Sequence, residues 1–320
     1  MVTQHEKISF VIPHRGRENL LQDTLASITQ QKLNGQCLEV VVVTQNTALE
    51  TSTMALIEAL QGNVVFRPEH ETISRMRNIG CEETSGDYLA FLDADVELAP
   101  DWVVSMLGAL YENPKRVIVS AMQRCDNAAP VLEKIRTTLS NVSTECNVDF
   151  LPGRNLFLRR TVFSLSGGFP ENLVTCEDYF FTQKVAEQGE LFYTSRTNYI
   201  HLGEDKAYGS MFKKEIWRGQ SNLQSMKGRK IPLAEWPSFL VPVWVLLFAV
   251  STVISLVAGS VLLAVVSGML TLFPVVLYSI RLYGKSAGTL SLRDIMRFYV
   301  LYFPARIIGT LTGLFKIVKL

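Results

Sequence analysis

The sequence predicts an α/β domain with a mostly parallel sheet and helices on both faces, followed by a transmembrane helical hairpin and an amphipathic helical tail. Two observations lead to this fold class. In the N-terminal part of the chain, short apolar runs without polar alternation are separated by helical patterns, which is typical of a parallel sheet buried on both faces. Further along, the 45 residues from Trp236 to Ile280 contain no charged side chain, whereas one membrane crossing needs only about 20 apolar residues.

Four strands and three helices are predicted in alternation at the start of the chain. The strands are 8–13, 38–44, 64–66 and 88–93, and the helices lie in ENLLQDTLASITQQ, STMALIEALQG and ISRMRNIGCEETSG. Apolar residues recur at helical spacing in the first helix, and Gly62 and Gly86 mark the ends of the other two. Ligands bind beyond the carboxyl ends of the strands in such sheets, so functional residues are expected there.

The second half of the soluble part is more mixed. Short strands are predicted at 156–158, 191–193 and 199–201, around a helix at 177–188. The stretch DKAYGSMFKKEIWRGQSNLQSMKGRK predicts a further helix that leads to the membrane. We therefore predict a single α/β domain over residues 1–230.

The uncharged run predicts two membrane spans, at 238–256 and 261–280, joined by a tight turn at 258–260 within a hairpin region of 231–283. The basic residues on its two sides are Lys227, Arg229 and Lys230, then Arg281 and Lys285. By the positive-inside rule, both flanks are expected in the cytoplasm. A buried helical hairpin of a soluble protein is the alternative.

The tail, residues 284–320, has basic residues between apolar stretches of no more than about nine residues. These basic residues are Arg293, Arg297, Arg306, Lys316 and Lys319. The pattern favours helices that lie in the membrane interface over a third span.

The balance of charge argues against a nucleic-acid partner, because 31 basic and 30 acidic residues leave a net charge of +1. The five cysteines are scattered and form no Cys-x-x-Cys pair, so neither a disulfide framework nor a zinc site is indicated. The N-terminus has no apolar run typical of a signal peptide. We expect the α/β domain on the cytoplasmic face of the cytoplasmic membrane.

Two acidic residues, Asp93 and Asp95, lie at the carboxyl end of the fourth predicted strand. Side chains two residues apart on extended chain point to the same side, so both carboxylates can serve one ligand. Hard divalent ions such as Mg²⁺ bind a few carboxylates together with phosphate oxygens of a substrate. The pair therefore predicts a divalent-cation site, and capping of the following turn is the alternative.

Four segments, in order, resemble a family 2 glycosyltransferase of the GT-A fold. They are SFVIPHRGRENLLQDTLASITQQ, RMRNIGCEETSGDYLAFLDADVELAPDW, GRNLFLRRTVFSLSGGFPENLVTCEDYFF and the later His201. The resemblance covers residues 7–220 and implies transfer of a sugar from a nucleotide-sugar donor. It also implies a divalent cation, Mg²⁺ or Mn²⁺, at the donor diphosphate, where a metal acts as a Lewis acid on the leaving group.

The resemblance further assigns residues to the donor and the metal. It implies that Asp95 ligates the metal, that Asp93 contacts the nucleoside sugar or the metal shell, and that His201 is a third ligand. The other donor-binding residues that it implies are Pro13 and Arg15 in the loop after the first strand, Arg77 and Asn78, and Arg218. Gln45 stands where the family often has an acidic residue that reads uracil, so the base preference is left open.

The motif CEDYFF provides the residues on the acceptor side. The resemblance implies that Asp178 is the general base for the acceptor hydroxyl and that Glu177 positions the acceptor, so one displacement inverts the anomeric configuration. Two acids in a first helical turn also suit the helix dipole, which is the structural alternative. Gly153, Asn155 and Gly168 resemble residues of the loops around the acceptor and the donor sugar.

A membrane hairpin next to such a domain predicts an amphiphilic acceptor. We expect a polyprenyl-diphosphate-linked saccharide, in the assembly of a surface polysaccharide or glycolipid. Transfer to polyprenyl phosphate, a catalytically inactive membrane scaffold and a soluble nucleotidyltransferase are the alternatives. A homo-oligomer is left open.

Overall fold

The computed structural model describes residues 6–220, 233 and 236–318, with side chains described as far as residue 315. The strands are β1 Lys7–His14, β2 Cys37–Thr44, β3 Asn63–Phe66, β4 Tyr88–Leu92, β5 Val96–Leu98, β6 Arg116–Arg124, β7 Cys146–Val148, β8 Asn155–Arg159 and β9 Glu190–His201. The helices are α1 Glu18–Thr29, α2 Thr51–Ala59, α3 Ile73–Glu82, α4 Trp102–Glu112, α5 Val131–Ser140, α6 Arg160–Ser166, α7 Glu177–Ala186, α8 Tyr208–Gly219, α9 Trp236–Val257, α10 Val261–Lys285 and α11 Leu292–Val318.

The chain divides into two compact units. The first consists of Met1–Cys125 and Ser143–Gly203, and the second consists of Asp126–Val142 and Glu204–Leu320. All the strands lie in the first unit, and the second contains α5, α8 and the three long apolar helices. The domain boundaries at residues 230 and 283 stay predictions.

The sheet of the first unit is mixed, with strand order β3-β2-β1-β4-β8-β6-β9-β5 and with β7 paired to β9. β3, β2, β1 and β4 are parallel neighbours, as predicted for the start of the chain. β8 runs antiparallel to both β4 and β6, and β6 pairs with β9 in parallel. The predicted fold class, an α/β sheet with helices on both faces, is confirmed.

The first strands show no alternation of polar and apolar residues, because both faces of the sheet are buried. In β1, Phe10 and Ile12 belong to one core cluster and Val11 to the other. In β2, Val42 and Val43 divide between the same two clusters. Each strand therefore needs apolar side chains at successive positions.

The mixed part of the sheet differs from the prediction in two places. β6 was not predicted, although VIVSAM is an apolar run of strand length. The two short strands predicted at 191–193 and 199–201 are one strand, β9, whose pairing with β6 jumps from Thr194 to Asn198. Glu145 holds the intervening bulge by accepting hydrogen bonds from Ser195 and Arg196, and these polar residues explain why the strand looked interrupted.

Pro13 is buried inside β1, as the predicted strand 8–13 requires, and does not lie in the loop after the strand where the resemblance placed it. The pairing of β1 with β4 extends only from Ile8 to Val11, while pairing with β2 continues to His14. A proline, which has no N–H to donate, is therefore tolerated beyond the β4 contact.

The hairpin in the second unit agrees with the prediction. α9 and α10 are separated by a tight turn in which Gly259 has a φ of 72°, a conformation that favours glycine. The Trp244 indole donates to the Leu270 carbonyl at 2.9 Å. Of the basic flanks used for the orientation, Lys227, Arg229 and Lys230 lie outside the described residues.

The tail forms one continuous helix, α11, where we expected interface helices. Its segment Leu292–Phe315, like α9 and α10, is long and apolar enough to cross a membrane, which makes three candidate spans among the described residues. Two of the basic residues that interrupt its sequence have partners within the unit: Arg306 lies 3.6 Å from Glu215, and Arg297 lies over the ring of Tyr208 at 4.6 Å. Such pairing makes basic residues compatible with a helix of this length.

A buried ionic cluster lies in the second unit. Glu215 of α8, which is 2% exposed, contacts three arginines: Arg136 of α5, Arg218 at 2.7 Å and Arg306 of α11 at 3.6 Å. Arg136 also donates to Asp205 at 2.9 Å. Burial alone would raise the pKa of Glu215, but the arginines hold it below its ordinary value. The cluster links three helices of this unit.

Candidate active site

The candidate site begins at the carboxyl end of β4. Asp93 follows Leu92 directly, and its backbone N–H donates to the Arg154 carbonyl at 3.2 Å, just before β8 begins. Residues 94 and 95 form a turn between β4 and β5, so the extended conformation that we expected for Asp93 and Asp95 is wrong. The two carboxylates accordingly contact different partners.

Arg77 of α3 connects the Asp-x-Asp turn to the start of α7. Its guanidinium, 2% exposed, donates to Asp93 Oδ1 at 2.9 Å, to Glu177 Oε1 at 3.0 Å and to the Gly153 carbonyl at 3.2 Å. The same guanidinium lies over the Phe169 ring at 5.0 Å. Burial by itself would lower the pKa of Arg77, but the neighbouring carboxylates raise it above its ordinary value. One permanent positive charge is therefore shared by two acidic motifs that are distant in sequence.

Gly153 fixes the position of Asp178. Its backbone N–H donates to Asp178 Oδ2 at 3.1 Å, and the Tyr179 N–H donates to Asp178 Oδ1 at 2.8 Å. A Cβ at position 153 would come within 3.0 Å of both terminal nitrogens of Arg77 and of Asp178 Cβ. Only glycine allows this approach of the backbone to the two side chains.

Glu177 and Asp178 are adjacent acids in different surroundings. Burial, followed by the charge of Asp178, raises the pKa of Glu177 to about 7 against the opposing effect of Arg77. The side chain of Glu177 is 12% exposed, whereas Asp178 accepts its hydrogen bonds from backbone N–H groups. Glu177 therefore retains a proton to a higher pH than an ordinary glutamate does.

Asp95 and His201 are brought together by the pairing of β5 with β9. Val96 lies opposite His201, and the Leu202 N–H donates to the Asp95 carbonyl at 2.9 Å. His201 Nε2 is 3.3 Å from Asp95 Oδ1, and Arg17 Nη2 donates to Asp95 Oδ2 at 2.8 Å. Although burial would raise the pKa of Asp95, contacts with His201 and Arg17 hold it below its ordinary value.

Asp95 and His201 fit a divalent cation as a partial ligand set. Their facing atoms are 3.3 Å apart, close to the roughly 3 Å between neighbouring ligands of an octahedral ion with bonds of about 2.1 Å. Among the residues that the structure describes, no group of three or more His, Cys, Asp or Glu side chains could hold a metal. An ion here would take its other ligands from a substrate and water, the arrangement that Mg²⁺ usually has in proteins. Asp93, whose Oδ1 accepts from Arg77, stays a predicted metal residue.

Two predicted donor residues contact nearby loops. Arg15 is 64% exposed and lies 3.4 Å from Glu69. The Gln45 amide nitrogen donates to the carbonyls of Pro68 and Glu71 at 3.1 and 2.8 Å, which uses both of its N–H groups. The roles of Arg15 and Gln45 at the nucleotide stay predictions.

Asn78, predicted to reach the nucleotide, binds the loop that follows Gly168. Its amide oxygen accepts from the Phe169 N–H at 2.9 Å, and its nitrogen donates to the Phe169 carbonyl and to Glu171, both at 2.9 Å. A Cβ on Gly168, whose φ is 78°, would lie 2.9 Å from the Asn78 oxygen. Asn78 and Gly168 therefore define one loop conformation, and their contacts with substrate stay predictions.

Asn155 lies in a strand, whereas we expected it in a loop, and its role at the acceptor stays a prediction. It is the first residue of β8, has no exposed surface, and its oxygen accepts from the Trp102 indole at 3.3 Å and from the Ala121 N–H at 3.2 Å. Arg218 belongs to the second unit, where it contacts Glu215. Its donor-binding role stays a prediction.

Two residues at Asp95 were not singled out from the sequence. Arg17 is the second basic residue of HRGR after β1, and only its neighbour Arg15 was selected. Gly203 follows His201 by two residues, and a Cβ there would lie 2.0 Å from Asp95 Oδ2 and 2.6 Å from Arg17 Nη1. Gly203 therefore leaves the space that the Arg17 and Asp95 pair occupies.

Comparison with known proteins agrees with this architecture. Residues 9–165 match the model of glycosyl transferase family 2. The glycosyltransferase AglE of Haloferax volcanii is 24% identical over 253 residues, which are 75% of this chain and 80% of that protein. The O-antigen chain rhamnosyltransferase RfbN of Salmonella typhimurium is 24% identical over 198 residues, with 57% of this chain and 62% of that protein covered.

A solved structure shows the same fold. The mannosyltransferase PcManGT from Pyrobaculum calidifontis, in complex with GDP-Man and Mn²⁺, aligns with a TM-score of 0.68 and 16% identity over 98% of this chain and 88% of that one. The first unit thus has the GT-A fold of glycosyltransferases. Residues 9–165 thus belong to glycosyl transferase family 2, and the described residues further along the chain include three helices long and apolar enough to cross a membrane.

Proposed function

We propose that this protein is an inverting glycosyltransferase that transfers a sugar from a nucleotide-sugar donor to a lipid-linked acceptor at the cytoplasmic face of a membrane. The observation that carries the proposal is the position of Arg77. Its two terminal nitrogens contact Asp93 and Glu177 at 2.9 and 3.0 Å. The acidic motif expected at the donor and the one expected at the acceptor therefore lie beside one buried side chain, as a transfer between the two substrates requires.

On the donor side, Asp95 and His201 would hold a divalent cation next to the donor. When bound, such an ion would neutralise the charge that develops on the departing nucleoside diphosphate. Asp95 suits this role because its pKa lies below the ordinary value, so the carboxylate is ionised at neutral pH. The GDP-Man and Mn²⁺ bound by the mannosyltransferase of similar fold support this donor class.

On the acceptor side, Asp178 would accept the proton of the attacking hydroxyl. Two backbone N–H groups, of Gly153 and Tyr179, fix its carboxylate, and each carboxylate oxygen has a further lone pair for the acceptor. The Glu177 carboxylate faces the buried Arg77 guanidinium at 3.0 Å, so we assign it to positioning. Attack opposite the leaving diphosphate, without a covalent enzyme intermediate, inverts the anomeric configuration.

The proposed acceptor is a polyprenyl-diphosphate-linked saccharide of surface polysaccharide or glycolipid assembly. Three helices long and apolar enough to cross a membrane occur in the described part of the chain, and a lipid-anchored acceptor would be confined to the same bilayer. The O-antigen chain rhamnosyltransferase among the relatives supports an acceptor of this class.

The test is a donor screen with the purified full chain in detergent, lipid extract and Mg²⁺ or Mn²⁺, scored by release of nucleoside diphosphate. We expect Asp95→Ala to abolish release and Asp178→Asn to lower it by about 10²–10⁴-fold, the usual contribution of general base catalysis. Asp23→Asn, which changes an exposed acid on α1, is the matched control and should behave as wild type.

Three outcomes would contradict the proposal or part of it. A wild-type rate for Asp95→Ala would reject the metal assignment. A nearly unchanged rate for Asp178→Asn would favour transfer to polyprenyl phosphate, whose oxygen is already anionic and needs no base. No release by wild type with any donor and lipid extract would favour a catalytically inactive scaffold.

A further inference from the structure

We propose that Arg17 changes partners during the catalytic cycle: it binds Asp95 before the divalent cation arrives, and it binds the donor diphosphate once the cation has taken the Asp95 carboxylate. This inference rests on the proposed function, because it requires a cation at Asp95 and a diphosphate donor. It assigns a role to a residue that neither the sequence motifs nor the general base mechanism includes.

Arg17 occupies one oxygen of the carboxylate that a cation would bind. Asp95 Oδ1 faces His201 Nε2 at 3.3 Å, and Oδ2 accepts from Arg17 Nη2 at 2.8 Å. A cation bound by both Asp95 and His201 would lie next to an arginine that carries the same sign of charge. Arg17 and the cation therefore compete for the same carboxylate.

The two partners of this ion pair differ in exposure. The side chain of Asp95 is 11% exposed, whereas that of Arg17 is 61% exposed. Arg17 thus reaches the carboxylate from the solvent side, and its guanidinium can leave without disturbing the core. Arg17 is also the residue before α1, and its side chain makes no capping hydrogen bond to that helix, so its departure removes no cap.

The present and the proposed contacts of Arg17 also differ in strength. Water weakens an ion pair whose basic side chain is 61% exposed, as that of Arg17 with Asp95 is, and a divalent ion has twice the charge. Guanidinium and phosphate form charge-assisted, often bidentate hydrogen bonds that are stronger. The exchange is therefore favourable when cation and donor are both present, and Arg17 opposes cation binding when the donor is absent.

Gly203 limits the directions in which Arg17 can move away from Asp95. A side chain at this position would overlap both Asp95 Oδ2 and Arg17 Nη1, since its Cβ would lie 2.0 and 2.6 Å from them. The glycine backbone therefore forms one wall beside the carboxylate. Arg17 can leave only by moving away from that wall.

The test uses Arg17→Ala and Arg17→Lys in the full chain, with two separate binding measurements. First, Mn²⁺ alone is titrated and followed by electron paramagnetic resonance. Second, GDP and UDP are titrated at saturating Mn²⁺. We expect Arg17→Ala to bind Mn²⁺ about two- to fivefold more tightly in the absence of nucleotide, because the competing ion pair with Asp95 is removed. We expect it to bind the preferred nucleotide about tenfold more weakly, because charge-assisted hydrogen bonds are lost.

Controls separate exchange from a structural effect. Arg17→Lys keeps the charge but not the planar group, so its Mn²⁺ affinity should stay closer to wild type while its nucleotide affinity falls. Arg196→Ala removes one charge and two exposed ion pairs, with Glu112 and Glu145, on the bulge of β9, and should change neither affinity. Opposite changes in the two affinities would not arise from simple loss of structure.

Three outcomes would overturn the inference. If wild type binds Mn²⁺ and Asp95→Ala does not, the metal site is supported. Unchanged or weaker Mn²⁺ binding by Arg17→Ala in that case overturns the exchange alone. Unchanged nucleotide affinity in Arg17→Ala overturns the second half of the exchange. Absence of Mn²⁺ binding by wild type overturns both the exchange and the proposed metal site.

Discussion

Substitution of Arg77 by methionine should affect both stability and activity, because this side chain is the buried counter-ion of two acids. Removing one partner of a buried ion pair costs about 3–5 kcal/mol. Here the lower end applies: Asp93 is 31% exposed and regains water, and Glu177, with a pKa raised to about 7, can bind a proton. A loss of about 3 kcal/mol corresponds to a fall of roughly 6–12 °C in the unfolding midpoint of a domain of this size.

The activity of the same variant should fall by about 10²-fold, the usual effect of misplaced catalytic groups. Arg77→Met removes the group that joins Asp93, Glu177 and the Gly153 carbonyl, so the position of Asp178 beside Gly153 is lost as well. The measurements are thermal unfolding in detergent and nucleoside diphosphate release, both at the same near-neutral pH.

Arg75→Met is the matched control, since it removes the same charge two residues earlier on the same helix. Arg75 contacts Glu171 at 3.1 Å, and the side chains are 45% and 40% exposed, so at most about 1 kcal/mol is expected to be lost. Equal midpoints for Arg77→Met and Arg75→Met would refute the reasoning. Equal unfolding midpoints would mean that Arg77 contributes no more to stability than an exposed arginine does.

Two further predictions concern buried acids. The pKa of Glu177 is raised from 4.5 to about 7. Protonated Glu177 therefore stabilises the folded protein below pH 4.5, and this contribution is lost as the pH rises through 7. As the pH rises from about 5 to about 8, Glu177→Gln should become more stable relative to wild type, by on the order of 3 kcal/mol. Parallel unfolding curves of the two proteins over this pH range would contradict that assignment. Glu215→Ala leaves Arg136, Arg218 and Arg306 without the acid that they share and should lower the unfolding midpoint by several degrees. As the control, Glu187→Ala removes an acid that is 67% exposed in its pair with Lys184 and should leave the midpoint unchanged.

The parallel half of the sheet could be predicted from the sequence because burial on both faces leaves a direct pattern. Continuous apolar runs as short as that of β2, bounded by polar segments, are typical of strands covered on both sides. The membrane hairpin was predictable for a similar reason, since 45 uncharged residues and a central glycine permit few structures. The bulge in β9 was not predictable, because Glu145, which stabilises it, is distant in sequence.

The site was only partly predictable, since motifs indicate residue types but do not assign partners. Arg77 was selected as a donor residue, yet its three contacts come from segments 16 to 100 residues away. Asn155 was selected because its segment resembles a loop around the acceptor, but the strand that it begins is central to the sheet. Arg17 and Gly203 were missed because each matters only through its distance to Asp95.

The four acids of the site differ mainly in how easily their partners can be replaced. Asp93 and Glu177 contact the Arg77 guanidinium, which is 2% exposed and therefore poorly placed to exchange partners. Asp95 contacts an exposed arginine, which a cation can displace. Asp178 is held by backbone N–H groups, which orient a carboxylate without offering a competing side-chain charge. Under the proposed mechanism, Asp95 must bind the cation and Asp178 must meet the acceptor, and these are the two acids with exchangeable or neutral partners. Arg77 offsets the charge of Asp93 and Glu177, so that four carboxylates can lie in one small region.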